Sequence, residues 1–96
     1  MTSRHSRQFL SVKWIHAFED EPILMVSELD SSLNELRKIE YFKDGSVGIA
    51  SRRRSSNGTT LSIEPLPTID TINADPQFVA EAISKAEFEA QWDVYV

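Results

Sequence analysis

Residues 12–30, VKWIHAFEDEPILMVSELD, decide the fold, because they read as two strands joined by an acidic turn, with one histidine set among aromatics. From Phe9 the chain alternates. Leu10, Val12, Trp14, His16 and Phe18 fall on one face of an extended strand, and Ser11, Lys13, Ile15 and Ala17 on the other. Glu19-Asp20-Glu21-Pro22 interrupts the pattern, since carboxylates prefer water and proline cannot donate to a ladder. Ile23 to Leu29 then starts almost wholly apolar, as a strand covered on both faces does, and stops at Asp30-Ser31-Ser32. The short connection predicts an antiparallel hairpin.

Further along, Asn34 to Phe42 favours strand through Ile39, Tyr41 and Phe42. Lys43-Asp44-Gly45-Ser46 supplies a tight turn, and Val47-Gly48-Ile49-Ala50 resumes the alternation as its partner. Arg52 to Gly58 reads as an exposed loop leading to a fifth strand over Thr59–Ile63. Pro65-Leu66-Pro67 marks a linker within the domain, and Thr68 can cap a short helical turn with Ile69 and Ile72 on one face. Asp75-Pro76 could restart a helix, but a short extended segment over Val79–Ile83 is preferred. Ser84-Lys85-Ala86-Glu87 is a capping box with Ile83 and Phe88 as its hydrophobic staple. Phe88, Trp92 and Tyr95 then form a stripe toward the sheet, leaving Glu87, Glu89, Gln91 and Asp93 largely outside. The expected architecture is α+β: a small antiparallel β-sheet of about five strands with a C-terminal α-helix packed on it. Residues 1–8 are expected to be a flexible N-terminal tail, and residues 9–96 a single domain.

Ninety-six residues are enough to bury one core without a disulfide or metal staple. The absence of cysteine removes disulfides, thiolate nucleophiles, Cys-ligated zinc and iron–sulfur clusters, and is compatible with a reducing cytoplasm. The N-terminal stretch lacks a signal-peptide pattern, and no run reaches the ~20 apolar residues a membrane span needs, so a cytoplasmic protein is expected. The net charge of −5 is uneven: residues 1–58 hold nine Lys/Arg against eight Asp/Glu, and residues 59–96 hold one against seven. That acidic C-terminal part disfavours nucleic acid and could steer a basic partner. Arg52-Arg53-Arg54 has no flanking basic residues or stacking aromatics, so it reads as a solvated loop tip.

The candidate binding residues are Trp14, His16, Phe18, Asp20, Glu21, Glu28 and Asp30, because a hairpin could bring carboxylates across from an imidazole beside aromatics. Such spacing is common in noncatalytic hairpins. A structural histidine bonded to a carbonyl or carboxylate is therefore favoured over catalysis, and no catalytic residue is assigned. Ser11 and Ser27 lack a nucleophile elbow. There is no His-Glu-x-x-His pattern or EF-hand loop, and Gly45, Gly48 and Gly58 belong to hairpins rather than phosphate-cradling loops. No metal and no cofactor are expected.

Lys13-Trp14-Ile15-His16, Phe18, Asp20-Glu21-Pro22, Ser27-Glu28-Leu29-Asp30, Arg37-Lys38-Ile39-Glu40, Asp44-Gly45, Ile72-Asn73-Ala74-Asp75-Pro76, Phe78, Ile83-Ser84, Glu87-Phe88-Glu89 and Trp92 together resemble a family of small bacterial domains of unknown function. The likeness spans nearly all of the chain after residue 8. It implies a bacterial, intracellular, stand-alone α+β domain and assigns no activity. Arg52–Arg54 and the basic tail stand outside the pattern. Size, acidity and missing catalytic motifs favour a noncatalytic protein-interaction domain, an immunity or antitoxin-like protein binding a basic partner. The alternative is a small-ligand-binding or enzymatic domain using the hairpin around His16. A homodimer through a sheet edge is the related arrangement.

Overall fold

The computed structural model describes residues 6–95. The chain runs β1 (Gln8–Trp14), β2 (Pro22–Leu29), β3 (Glu35–Phe42), β4 (Val47–Ser51), α1 (Ile69–Asn73), β5 (Phe78–Ala82) and α2 (Lys85–Tyr95). All neighbouring strands are antiparallel, in the order β4-β3-β2-β1-β5. The architecture is thus the expected α+β one, a five-stranded sheet with a C-terminal helix.

The β1–β2 hairpin pairs Gln8 with Leu29 and Lys13 with Leu24. Strand β1 stops at Trp14, short of the alternation that continues to Phe18, because His16 folds back and bonds the backbone of Phe18 and Pro22. At the end of the expected tail, Gln8 belongs to β1 and Arg7 lies 3.6 Å from Glu28. The tail's first five residues lie outside the described residues. The Asp44-Gly45 turn is a three-residue hairpin loop in which Gly45 alone takes a left-handed φ of 89°. Phe42 N–H donates to Ser46 O and Gly45 N–H to Phe42 O.

The fifth strand is not at Thr59–Ile63. That segment crosses over the sheet, because Thr59 donates its hydroxyl to Glu40 at 2.8 Å and Ser62 N–H donates to Glu35 at 2.7 Å. Thr59 comes so close to Gly48 that a Cβ there would collide with its hydroxyl. The edge of β4 is already occupied by its own following loop, as Ser56 bonds both backbone groups of Ile49. The fifth strand is β5, on the opposite edge beside β1, so the extended reading near residues 79–83 holds with a shift of one residue. Thr68 caps α1 as its spacing suggests, whereas Asp75 shapes a turn by accepting from Gln77 N–H.

Strand alternation gives the sheet two apolar faces. On one, Phe9, Val26, Ile39 and Ile49 pack against Phe88 and Trp92 of α2. On the other, Leu10, Val12, Leu29 and Ala80 are covered by Leu33, Leu66, Ile69 and Ile72. Helix α2 begins at the capping box: Glu87 N–H donates to Ser84 Oγ at 3.0 Å, and Ser84 N–H to Glu87 Oε1 at 2.9 Å. Its docking is fixed by Arg37, whose guanidinium lies 4.7 Å from the Phe88 ring centre and 5.1 Å from that of Trp92. The same group donates to Glu89 at 3.0 and 2.6 Å and to Glu28 at 2.6 Å. Glu89 and Gln91 therefore bind across the interface, Gln91 by accepting from Tyr41 Oη at 2.6 Å. Tyr95, 41% exposed, meets Tyr41 edge-on at the margin.

The Arg37 hydrogen bond is the largest influence holding the Glu89 carboxyl below its ordinary value, and Ser46 depresses Asp44 likewise. A depressed carboxyl contributes stability that is complete above its unfolded value and disappears as pH falls through the folded one. The urea midpoint should accordingly be flat from about pH 7 to about pH 5 and fall below that. Glu89→Gln should lower the midpoint at neutral pH and make the acid decline shallower. Parallel acid profiles for the two proteins would contradict this role for the Arg37–Glu89 contact.

Candidate functional site

The structure brings together three of the candidate residues. Trp14 and His16 have ring centres 4.2 Å apart, His16 and Phe18 5.3 Å, and Trp14 also stacks at 5.8 Å on Phe78 from β5. His16 Nδ1 accepts from Phe18 N–H at 2.9 Å, so Nε2 must carry the proton and donate to Pro22 O at 2.8 Å. Both nitrogens are thereby engaged in shaping the 15–21 loop. Phe18 is 58% exposed, and Trp14 Nε1 is buried without a hydrogen-bond partner among the described residues.

The carboxylates are not gathered around His16. Asp20 and Glu21 are exposed in the turn. Glu28 lies opposite Phe9 at the other end of the hairpin, roughly 13 Å along β2 from Leu24 at about 3.3 Å per residue. There it faces α2 and bonds Arg37. Asp30 closes the next turn, accepting at Oδ1 from Ser32 and Asn34 N–H, and the Asn34 amide is the main cause of its lowered pKa.

A different site lies on the face opposite α2. A cavity of about 370 Å³ opens between the sheet and α1 with its flanking segment, walled by Val12, Met25, Leu66, Ile72 and Phe78. Its floor is polar: Ser27, Glu35 and Lys38. Glu35 Oε1 accepts from Ser62 N–H at 2.7 Å and lies 3.0 Å from Lys38 Nζ, while Oε2 accepts from Ser27 Oγ at 3.2 Å. Lys38 Nζ also donates to Thr60 O at 3.2 Å. This network stitches the crossing segment to the sheet and leaves its charges mutually paired. What stays free to meet a ligand is acceptor capacity, on Ser27 Oγ and on the exposed Asp75 carboxylate at the rim.

Strand alternation hides this floor, because Glu35 and Lys38 are three apart and would point to opposite faces of a regular strand. A register shift between Glu28 and Leu29 on β2 sets Glu35 opposite Leu29 and Arg37 opposite Glu28. The irregularity turns Glu35 to the same side as Lys38.

Among the described residues, no three His, Asp or Glu side chains are grouped so as to hold a metal ion, and no helix is long and apolar enough to cross a membrane. A family model described as a domain of unknown function (DUF6881) matches residues 8–96. No curated protein and no solved structure matches the chain.

The bonding of His16 predicts its tautomer. Nitrogen-15 shifts should show Nδ1 unprotonated and Nε2 protonated, and His16→Ala should cost about 1–2 kcal/mol through the lost loop bonds. A ring protonated at Nδ1, or a variant as stable as the parent, would contradict the structural assignment.

Proposed function

The chain belongs to the DUF6881 family, and from that premise we propose that it is a noncatalytic interaction domain that takes a basic protein partner at the α1 cavity. The observation behind this reading is a cavity with apolar walls and a carboxylate on its rim, with two more carboxylates next or near in sequence to its lining residues. Asp75 lies on the rim, Asp70 precedes the lining residue Thr71, and Glu64 lies two residues before Leu66. None of the three forms an ion pair among the described residues. An apolar side chain of the partner would enter between Met25, Leu66 and Phe78, and neighbouring cations would meet the carboxylates outside. The engagement of His16, Glu35 and Lys38 in structural bonds supports a noncatalytic role. A small acidic cover for a basic partner, as in immunity or antitoxin-like proteins, is the biological form of this reading.

The cavity volume also falls within the range of small-molecule pockets, which favours a second reading. In that case the free acceptors select an apolar ligand bearing an ammonium or another N–H donor.

Titration with a basic amphipathic peptide, its glutamate-substituted counterpart and a small aromatic amine separates these readings. The interaction reading predicts binding of the basic peptide alone, weakening as salt rises. Asp70→Asn with Asp75→Asn should weaken it roughly 5-fold, at about 0.5 kcal/mol for each exposed charge. Binding of the amine alone would favour the small-ligand reading. Equal affinity for the acidic peptide would overturn both.

A further inference from the structure

We propose that β5 is a self-pairing edge held shut by a single side chain, Asn73, and that a second copy of this chain is the partner the open edge accepts. Ala80 lies opposite Val12 in the β1–β5 pair, yet its backbone polar groups bond a side chain on the outer side. Asn73 Oδ1 accepts from Ala80 N–H at 2.6 Å, and Asn73 Nδ2 donates to Ala80 O at 2.9 Å. A carboxamide offers a donor and an acceptor spaced like those of a peptide group, so Asn73 stands where a residue of a sixth strand would stand. The adjacent outward donor, Phe78 N–H, is taken by Asp75 O at 3.0 Å.

The two sheet edges are closed by different means. At β4 the following loop folds back and bonds through its own main chain as well as the Ser56 hydroxyl. At β5 the centre of the edge depends on one amide carried by a five-residue helix that fully buries none of its residues. Without Asn73, α1 keeps only the partly buried Ile69 and Ile72 against the sheet. An uncovered strand edge is a template for another strand.

The exposed frame of β5 is self-complementary. A two-fold axis through Ala80 would pair its N–H and C=O with those of Ala80 in the second copy, and Ala82 N–H would donate to the copy's Phe78 O, whose own N–H stays with Asp75 O. Glu81 would then lie beside Val79 of the other copy instead of facing its own counterpart. Lys13, opposite Val79 within its own sheet, would sit two strands from that Glu81 and offset the diagonal approach of the two Glu81 carboxylates. Val79 is already 46% exposed and would be covered. The product is one continuous sheet made from two five-stranded sheets.

Sedimentation of the full chain across a concentration series tests this. The parent should remain a monomer. Asn73→Ala with unchanged circular dichroism should double its sedimenting mass as concentration rises. Adding Ala82→Pro to Asn73→Ala should restore the monomer, because Ala82 faces outward like Ala80 and proline removes that donor without taking a bond from β1. A folded Asn73→Ala that stays monomeric overturns the proposal. So does a mass that stays doubled with Ala82→Pro, or a parent that dimerises as strongly as the variant. Amide exchange of the parent provides a test that needs no variant. Ala80 N–H should exchange far more slowly than Ala82 N–H, and equal fast rates would show that Asn73 does not close the edge.

Discussion

A carboxylate with 2% of its side chain exposed, that of Glu35, holds the second face of the sheet in place. Burying a charge is costly unless its hydrogen-bonding capacity is met, and here Ser27, Lys38 and the Ser62 amide meet it. The last of these fixes the chain that crosses from β4 to α1. Without that crossing, Leu66 would not reach the sheet, Leu10 and Val12 would lose cover, and the α1 cavity would lack a wall. Two residues on, Arg37 performs the equivalent task for α2 on the opposite face, through its contacts with Phe88, Trp92 and Glu89. Strand β3 thus supplies the ties for both layers of cover.

Local patterns revealed the elements governed by local physics. The Gly45 turn, the Thr68 cap, the Ser84–Glu87 box and the Phe88–Trp92 stripe all depend on residues within a few positions of one another, and the β1–β2 hairpin on one short connection between strands. Alternation failed where side chains bond the backbone. His16 ends β1 early, and Glu35, by accepting from Ser62 N–H, keeps an alternating segment from becoming a strand, together with the Thr59–Glu40 side-chain bond. The hairpin residues suggested a site because Trp14, His16 and Phe18 do cluster, but antiparallel geometry carries Glu28 and Asp30 away from them. The cavity floor was hidden for a different reason: a register shift brings Glu35 and Lys38 to one side, and strand periodicity cannot anticipate it.

Helix α1 links the two surfaces to which roles are proposed. Thr71 and Ile72 line the cavity, and the next residue, Asn73, occupies the β5 edge. Its displacement would therefore alter both. With no residue fully buried, α1 is the element through which an occupant of the cavity can affect the rest of the sheet. The opposite face is held more firmly, because α2 is fixed by Phe88, Trp92 and the Arg37 contacts together.

The proposed interaction places a basic partner at the α1 cavity and leaves the His16 hairpin uninvolved. Two-dimensional amide NMR during titration with a basic amphipathic peptide distinguishes the two surfaces. Perturbations should centre on Met25, Leu66, Thr71, Ile72, Asp75 and Phe78. Shifts confined to Ile15–Glu21, with the cavity residues unmoved, would contradict this placement.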